Sequence, residues 1–408
     1  MVYEIYDVMP KVLRIINRLN LGGPTYNAAY LSKFLPEEFE TLLVAGMKDQ
    51  SEASSEYIVE SLALKPRYIK DMFREINPIK DYPAYKELVQ IIKEFKPDIV
   101  HTHAAKAGAI GRLAAYNCGV PIIIHTFHGH VFHSYFGKLK TRVFLEIERF
   151  LARRSTKIVA ISNIQKSELC EEFKVAPCDK FEVVSLGFDL DRFQVGNAAK
   201  RVEFRKKYEL AEKEIAIGII GRLVPIKNHK LLLEAFARVK KKANKSLKLI
   251  IIGDGELREE LESLVLGLDL SMSKNTTQGA DVLFTSWIKA IETALPGLDL
   301  VALSSFNEGT PVSLIEAQAA NIPIISTMVG GIQDVVLEND TAVLVENNNL
   351  EEFSEKLLEI VLNDKKRKLM QINGYFHVKE KFSYQTLCKN MGDLYHSLYE
   401  ECLNKRKN

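Results

Sequence analysis

The chain has 408 residues, of which 47% are hydrophobic and 26% are charged. This length is enough for two domains that each bury a full core, and the composition excludes an intrinsically disordered chain. The formal net charge is +2, so the charge of the whole chain does not support a nucleic-acid partner. Every long apolar run is interrupted by charge and the N-terminus lacks the pattern of a secretory signal, so neither a membrane-spanning helix nor export is expected.

Short apolar runs alternate with amphipathic helical stretches in the first half of the chain. The first unit of this pattern is a strand over residues 12–16, a tight turn over 21–24 and a helix over 25–34. Further strands are predicted over residues 41–45, 99–102, 121–126, 157–161 and 181–185. This alternation is typical of a parallel sheet with crossover helices.

A second alternation follows a polar segment, residues 194–214, which predicts a surface helix between two domains. Because open α/β sheets bind ligands at the carboxyl ends of their strands, we expect the loops of both domains to line a shared cleft. The predicted strands here are 215–220, 247–252, 300–303, 322–326 and 342–345, with a mobile loop over 271–281. The predicted domain plan is an N-terminal domain 1–195, a linker 196–214, a C-terminal domain 215–380, and a terminal helix 381–408 that crosses back to the first domain.

Cysteine usage indicates a reducing compartment. An odd number of cysteines without a C-x-x-C pair favours reduced, mostly buried thiols over a disulfide framework. We therefore expect a cytoplasmic protein. The five cysteines are Cys118, Cys170, Cys178, Cys388 and Cys402.

Residues 299–327 are the most informative stretch, because two apolar runs flank a polar loop and a helix and so predict a β-α-β unit. Thr310 suits the N-cap and Pro311 the first helical position. Glu308 precedes this cap and Glu316 lies inside the helix. Both carboxylates are expected near a helix start whose free N–H groups favour anions, and a phosphate ligand fits there.

Six motifs lie at the carboxyl ends of predicted strands. In chain order they are Gly22-Gly23-Pro24, HTHAAKAG from His101, HTFHGH from His125, GRLVPIKN from Gly221, GDGE from Gly253 and EGTPVSLIE from Glu308. Together they resemble, over most of the chain, the retaining, nucleotide-sugar-dependent glycosyltransferases of family 4, also called group 1. The resemblance implies an α/β GT-B fold, in which two Rossmann-like domains face each other across a cleft.

The same resemblance implies a reaction of the kind used in bacterial polysaccharide or lipid-linked glycan synthesis. A hexosyl group would move from a nucleotide sugar, with UDP as the default base, to a glycan or polyprenyl-linked acceptor with retention of configuration. No cofactor besides this co-substrate and no nucleic-acid partner is expected. Two alternatives stay open: a GT-B nucleotide-sugar 2-epimerase, which should lack the pairing of GRLVPIKN with EGTPVSLIE, and a non-catalytic nucleotide-sugar-binding protein.

The donor is expected to bind mainly to the second domain. A leaving diphosphate needs fixed positive charge, which Arg222 and Lys227, on one loop, can supply. By resemblance, Glu308 approaches the sugar hydroxyls and Glu316 the ribose; the plainer interpretations are a helix-dipole partner and an exposed helix position. Trp287 suits a base-binding wall or the core equally well. The remaining predicted donor-binding residues are Gly22, Gly23, Gly221, Gly253, Gly255, Ile288, Gly309, Thr310, Val312 and Ser313.

Six of the nine histidines lie at the ends of two predicted strands: His101, His103, His125, His128, His130 and His133. Neither group contains Asp or Glu, and the enzymes that the chain resembles neutralise charge with Arg and Lys, so no metal site is predicted. By resemblance His128 is an active-site histidine, with an ordinary loop role as the alternative. The predicted catalytic residues are thus His128, Arg222, Lys227 and Glu308, and the predicted acceptor residues are His103, Lys106, His128 and His130.

The segment 138–157 combines an apolar stripe with seven basic and two acidic residues. Two interpretations stay open. The segment is either an amphipathic helix packed on its own domain, or a helix that rests on anionic headgroups at the inner face of a membrane. The apolar residues at helical spacing are Leu139, Val143, Phe144, Ile147, Phe150 and Leu151.

Overall fold

The structure is a computed structural model, and it describes residues 9–19, 23–47, 56–73, 77–129 and 138–407. The chain divides into two compact units, Met1–Phe188 with Phe382–Asn408, and Asp189–Lys381. Each unit contains a seven-stranded parallel sheet with helices packed against it, which is a Rossmann-like architecture. The predicted alternation of strands and helices is therefore confirmed.

The sheet of the first unit is formed by β1 (Lys11–Ile16), β2 (Glu40–Gly46), β3 (Arg67–Ile69), β4 (Ile99–His103), β5 (Ile122–Phe127), β6 (Lys157–Ala160) and β7 (Phe181–Val183). Their order is β3-β2-β1-β4-β5-β6-β7. The central strands β4 and β5 are buried along their whole length, as strands covered on both faces are. The order reverses at β1 and β4, so the loops after these two strands flank the crevice of this sheet.

The helices of the first half of the chain are α1 (Gly23–Phe34), α2 (Glu56–Ser61), α3 (Pro78–Phe95), α4 (Ala105–Asn117), α5 (Lys138–Arg153) and α6 (Asn163–Ser167). The start of α3 shows why such a helix begins where it does. The Asn77 side chain accepts hydrogen bonds from the N–H groups of Ile79 and Lys80, and Pro78 takes the first helical position, where its missing N–H costs nothing. No helix in the described ranges is long and apolar enough to cross a bilayer.

The sheet of the second unit is formed by β8 (Ile215–Ile220), β9 (Leu247–Ile252), β10 (Met272–Ser273), β11 (Val282–Ser286), β12 (Leu300–Leu303), β13 (Ile324–Thr327) and β14 (Ala342–Val345). Their order is β10-β11-β9-β8-β12-β13-β14. The reversal of strand order falls between β8 and β12, both fully buried. The loops that follow these two strands therefore lie at the switch point of this sheet.

The helices of the second unit are α7 (Asn197–Lys207), α8 (His229–Lys242), α9 (Arg258–Gly267), α10 (Ile291–Ala294), α11 (Val312–Ala319), α12 (Ile332–Val335), α13 (Leu350–Leu362), α14 (Asp364–Met370) and α15 (Gly374–Phe382). The segment predicted as a linker, 196–214, contains α7 and belongs to this unit. Arg205 on α7 donates to the Asp299 carboxylate at 3.2 Å, and the Ala216 N–H donates to the same oxygen at 2.8 Å. These bonds fix α7 beside the start of β8.

The last helix, α16 (Tyr384–Lys407), belongs to the first unit and packs on α1. The Tyr384 ring stacks on Tyr30 of α1 with the ring centroids 5.2 Å apart, and Tyr395 is fully buried. One face of the first sheet is therefore completed by the C-terminal end of the chain.

One prediction about local structure is wrong and another is incomplete. Cys170 and Cys178 form a disulfide, because the turn between them brings their Cα atoms to 5.2 Å, within the range that a disulfide spans. The other three cysteines are free. Residues 271–281, predicted as a mobile loop, contain the edge strand β10, which pairs with β11 through Met272 and Val282. A strand of two residues is too short to show a hydrophobic period.

Candidate active site

Two loops follow β8 and β12 at the switch point of the second sheet. The Phe306 N–H donates to the Ile226 carbonyl at 2.8 Å, and the Ser304 hydroxyl donates to the Asn228 carbonyl at 2.9 Å. The loops are thus tied to each other at the position where open α/β sheets bind ligands.

Lys227 and Glu308 form an ion pair that joins these loops. Lys227 Nζ lies 2.5 Å from Glu308 Oε1, and the Ser305 hydroxyl donates to the same oxygen at 2.6 Å. The two side chains are 18% and 10% exposed, so water screens the pair weakly. Such a charge-assisted bond holds the ammonium group in one place. The structure therefore brings together two of the four predicted catalytic residues.

Arg222 lies on the same loop as Lys227, directly after Gly221. Its side chain is exposed, and its guanidinium has no hydrogen bond or ion pair with any residue that the structure describes. A planar cation without an internal partner, on the same loop as a fixed ammonium, can reach an anionic ligand. This combination suits a diphosphate.

The helix after Glu308 begins one residue later than predicted. α11 starts at Val312, and Pro311, in extended conformation, occupies the N-cap position without a side-chain cap. Thr310 is therefore not the cap. The N–H groups of Val312 and Ser313 have no acceptor within the described ranges, as is usual for a first helical turn. They remain able to bind an anion.

Gly331 holds the Glu308 loop from its other side. Its N–H donates to the Glu308 carbonyl at 2.9 Å, and a Cβ at Gly331 would lie 1.8 Å from the Gly309 carbonyl oxygen. Only glycine allows this approach of the two backbones. Gly331 therefore determines the position of the loop that carries Glu308.

We expect Gly331→Ala to lower the free energy of unfolding by about 1–3 kcal/mol, because the added methyl group overpacks the contact and displaces the Glu308 loop. Gly309→Ala is the matched control, since a Cβ at Gly309 meets no atom within 4 Å. Urea denaturation of both variants measures the difference. Equal loss of stability in the two variants would contradict this role of Gly331.

Glu316 on α11 is largely buried, which excludes the interpretation as an exposed helix position. Its side chain is 15% exposed, and its Oε1 lies 3.9 Å from a guanidinium nitrogen of Arg192. Burial raises the pKa of Glu316 to about 7; Arg192 opposes this shift and Glu292 adds to it. A ligand that donates hydrogen bonds to the carboxylate would favour its ionised form.

The loop after β9 packs against the loop after β8 through two glycines. Gly253 has φ +151°, and a Cβ there would lie 1.9 Å from the Gly221 carbonyl oxygen. A Cβ at Gly255 would lie 2.5 Å from the Leu223 carbonyl oxygen. Both glycines thus have a packing role, which places the GDGE motif beside the loop that carries Arg222 and Lys227.

Trp287 follows β11 and is 55% exposed, so it is not a core residue. Ile288 beside it is half-buried. The preceding residue, Ser286, is fixed by Arg258, whose guanidinium donates to the Ser286 hydroxyl at 2.8 Å. An exposed indole on an anchored segment is available for stacking on a flat ligand.

In the first unit, β4 and β5 lead into a cluster of histidines. His103 Nδ1 lies 2.9 Å from His128 Nε2, and His101 Nε2 lies 2.7 Å from the Thr126 hydroxyl. Burial lowers the pKa of His128 to about 3, and burial is also the main reason why the pKa values of His101, His103 and His125 are well below the usual range. The rings are therefore neutral near neutral pH and act as hydrogen-bonding groups.

A hydrogen-bond chain from α16 anchors this cluster. The Tyr395 hydroxyl lies 2.5 Å from His101 Nδ1 and accepts a hydrogen bond from Arg14 at 3.1 Å. Because arginine only donates, the best-satisfied arrangement has Tyr395 donating to His101 Nδ1, with the His101 proton on Nε2. Sequence analysis missed Arg14 and Tyr395, since 294 residues separate Tyr395 from His101 and no local pattern marks either residue.

The remaining predicted site residues are Lys106, Gly22, Gly23 and His130. Lys106 forms an ion pair with Asp81 at 2.5 Å, and its side chain is only 8% exposed. Gly23 is the first residue of α1. Gly22 and His130 lie outside the described residues. Within the described ranges, the only three metal-ligand side chains whose ligand atoms converge are Cys170, Glu171 and Cys178, of which the two cysteines are bonded to each other.

Two family models match the chain, one in each half. The family described as Glycosyltransferase Family 4 matches residues 21–192, and the family described as Glycosyl transferases group 1 matches residues 200–376. The chain belongs to the group 1 glycosyltransferases. The family predicted from the six motifs is therefore confirmed, and the protein is a glycosyltransferase.

Curated relatives support the same family over most of their length. The glycosyltransferase is 28% identical over 361 residues to the UDP-Gal:alpha-D-GlcNAc-diphosphoundecaprenol alpha-1,3-galactosyltransferase of Escherichia coli, a match that covers 88% of this chain and 89% of the relative. It is 27% identical over 343 residues to the capsular polysaccharide biosynthesis glycosyltransferase CapM of Staphylococcus aureus, with 83% and 87% covered.

Solved structures share the fold of this glycosyltransferase. Anabaena Alr3699/HepE, crystallised in complex with UDP, superimposes with a TM-score of 0.78 at 17% identity, over 95% of this chain and 100% of that chain. A glycosyltransferase from Rickettsia africae ESF-5 gives a TM-score of 0.77 at 20% identity, with 96% and 98% covered. The predicted GT-B fold class is thereby confirmed.

Proposed function

We propose that this glycosyltransferase moves a hexosyl group from a UDP-sugar to a glycan or polyprenol-linked acceptor, with retention of anomeric configuration and without a bound metal. The observation that carries the proposal is the Lys227–Glu308 ion pair beside the uncapped start of α11. This arrangement offers a fixed ammonium and unpaired N–H donors to a diphosphate. Such groups can provide the charge stabilisation that a metal ion provides in other reactions.

The donor-side chemistry follows from the growth of negative charge on the diphosphate as the glycosidic bond breaks. Lys227 is already in place to stabilise that charge, so little reorganisation is needed during the reaction, and Arg222 adds a second cation. Glu308 can accept hydrogen bonds from hydroxyls of the donor sugar at Oε2, the oxygen that Lys227 and Ser305 do not contact. Glu316 accepts hydrogen bonds from the ribose in this scheme, and Trp287 stacks on the uracil ring.

The acceptor-side chemistry uses neutral groups of the first unit. With a pKa of about 3, His128 is a hydrogen-bonding partner for a sugar hydroxyl and not a general acid at neutral pH. Glu308 serves to position the sugar and to balance charge, since one of its oxygens already accepts two hydrogen bonds. Retention then follows a front-face route in which the leaving phosphate helps to take the acceptor proton, with no covalent enzyme intermediate.

The relatives support the substrate classes. The E. coli relative is named for a UDP-sugar donor and a diphosphoundecaprenol-linked acceptor, CapM for capsular polysaccharide synthesis, and HepE was crystallised with UDP. We therefore place this glycosyltransferase in the cytoplasm, acting at the inner face of a membrane where lipid-linked acceptors are exposed.

The test is an assay of UDP release with UDP-galactose, UDP-glucose and UDP-N-acetylglucosamine and a synthetic sugar-diphosphate-lipid acceptor, with the product linkage read by NMR. We expect an α-linked product and a rate that EDTA does not change. A β-linked product would refute retention, and loss of activity in EDTA that Mg²⁺ restores would refute metal independence. Stabilisation by UDP-sugars without product from any acceptor would indicate a non-catalytic binding protein.

A further inference from the structure

A groove of about 1010 Å³ lies on the first unit, lined by residues of α3, α4 and α5. We refer to it as the α5 groove. Its apolar lining comes mainly from Ile110 and Leu113 of α4 and from Val143, Ile147 and Phe150 of α5. None of the residues assigned above to donor or acceptor binding lines it, so it is a separate feature of this unit.

The α5 helix has more apolar surface than its own domain covers. Phe144 and Leu145 pack against the core of the unit, as the interpretation of a domain-packed helix requires. Val143, Ile147 and Phe150, however, are 53%, 42% and 40% exposed. Large apolar side chains grouped in one exposed groove mark an interaction surface more often than scattered ones do. Packing within the domain therefore explains only part of the stripe.

The charges around the α5 groove are not balanced. Both carboxylates that line it are paired within the protein: Asp81 with Lys106 at 2.5 Å and Glu146 with Arg149 at 2.6 Å. Arg142, which also lines the groove, is exposed and has no partner in the described part of the chain.

Arg154 adds to this excess of positive charge. Its guanidinium lies over the Phe150 ring, 3.5 Å from the centroid, and 5.1 Å from that of Tyr116, without a carboxylate partner within the described ranges. The charge left unneutralised at the rim is thus positive and sits directly beside exposed aromatic rings. That combination is complementary to a surface with anionic headgroups above a hydrocarbon layer.

We propose that the α5 groove is a membrane-docking surface that binds bilayers containing anionic lipids. Val143, Ile147 and Phe150 enter the acyl boundary, while Arg142 and Arg154 contact the phosphates of the headgroups. The inference rests on the proposed function for its purpose, because a polyprenol-linked acceptor has to be met at a membrane surface.

The experiment is co-sedimentation of the full chain with vesicles of phosphatidylcholine alone and of equal parts phosphatidylcholine and phosphatidylglycerol. We expect binding to the anionic vesicles that high salt weakens, and little binding to the neutral ones. The double variant Val143→Glu with Ile147→Glu should bind the anionic vesicles at least about tenfold more weakly. Leu266→Glu is the matched control, because Leu266 is an apolar residue of α9 in the other unit, 62% exposed, and should bind as the wild type does.

A second measurement separates this inference from the proposed function. Turnover of a short-chain, water-soluble acceptor by the double variant should equal that of the wild type, which also shows that the variant is folded. The inference would be overturned if the wild type bound neutral and anionic vesicles equally, or if the double variant bound anionic vesicles as tightly as the wild type. A wild-type dimer that the two substitutions dissociate would also overturn it, because the groove would then bind a second copy. Vesicle binding decides the question even if no acceptor is ever turned over.

Discussion

Replacing Lys227 by alanine is expected to lower the kcat of sugar transfer by about 10²–10³-fold, the usual effect of removing one preorganised group that stabilises charge in the transition state. The expectation rests on the 2.5 Å ion pair with Glu308, which fixes the ammonium before the donor arrives. The KM for the UDP-sugar should rise far less than kcat falls, because the charge on the diphosphate grows as the bond breaks. Steady-state kinetics with varied UDP-sugar measures both constants.

Lys230→Ala is the control for this prediction. The Lys230 side chain is 66% exposed and lies in the first turn of α8, next to the same loop. Its only ion pair within the described ranges is a long one of 3.9 Å with Glu234, so its replacement removes the same charge from the same region. We expect its kcat to stay within about twofold of the wild type, as for a surface ion pair. A Lys227→Ala enzyme that transfers sugar as fast as Lys230→Ala would refute the role of Lys227 at the leaving group.

Loss of Lys227 also leaves the mostly buried Glu308 carboxylate without its cationic partner, so the single variant should lose about 1–3 kcal/mol of stability. Adding Glu308→Gln removes that charge and should restore most of the stability without restoring transfer. This pair of variants separates a damaged fold from a damaged site. Chemical denaturation and the kinetic assay are carried out on the same preparations.

The central strands could be predicted from the sequence because strands covered on both faces read as continuous apolar runs. β8 and β12, with every residue buried, are of this kind, and the loops that follow them, together with α11, carry most of the predicted donor-binding residues. The short edge strands β3 and β10 were missed, since two or three residues show no period. β11 was also missed, because only its first three residues are apolar.

Contacts that depend on tertiary packing could not be predicted from the sequence. The disulfide between Cys170 and Cys178 depends on a turn whose geometry is not encoded by the number of cysteines. The hydrogen bond from α16 to His101 joins residues that are 294 positions apart in the chain. Lys106, in a motif at the end of β4, looked accessible because the carboxylate that buries it, Asp81, is on another helix. Such side chains can be assigned only when the fold brings them together.

The second large effect is expected from Glu316→Gln, which should stabilise the protein but weaken its binding of UDP. Burial raises the pKa of Glu316 from the usual 4.5 to about 7 in the folded protein. Between these two values the folded state binds more protons than the unfolded state, so the wild type loses stability as the pH rises through this window and reaches a plateau above it. Glutamine does not titrate. The variant should therefore match the wild type at low pH and exceed it by up to about 3 kcal/mol above neutral pH.

Affinity for UDP should change in the opposite direction. An ionised Glu316 accepts two hydrogen bonds from a ribose diol, whereas the glutamine amide offers one acceptor oxygen, so we expect the variant to bind UDP about 10–100-fold more weakly above neutral pH. Wild-type affinity should fall as the pH drops below about 7, because the protonated carboxyl is the weaker acceptor, while the affinity of the variant should be insensitive to this change.

Denaturation curves and calorimetric titrations with UDP across the same pH range test the predicted stability and the predicted affinity. Glu260→Gln, at an exposed position of α9, is the control and should change neither quantity. A variant that gains stability but binds UDP as the wild type does would show that Glu316 is merely a strained buried carboxylate; a variant that loses both would show that its charge supports the fold through Arg192. Only a gain in stability together with a loss of affinity for UDP identifies Glu316 as a buried carboxylate that lowers the stability of the fold and binds the ligand.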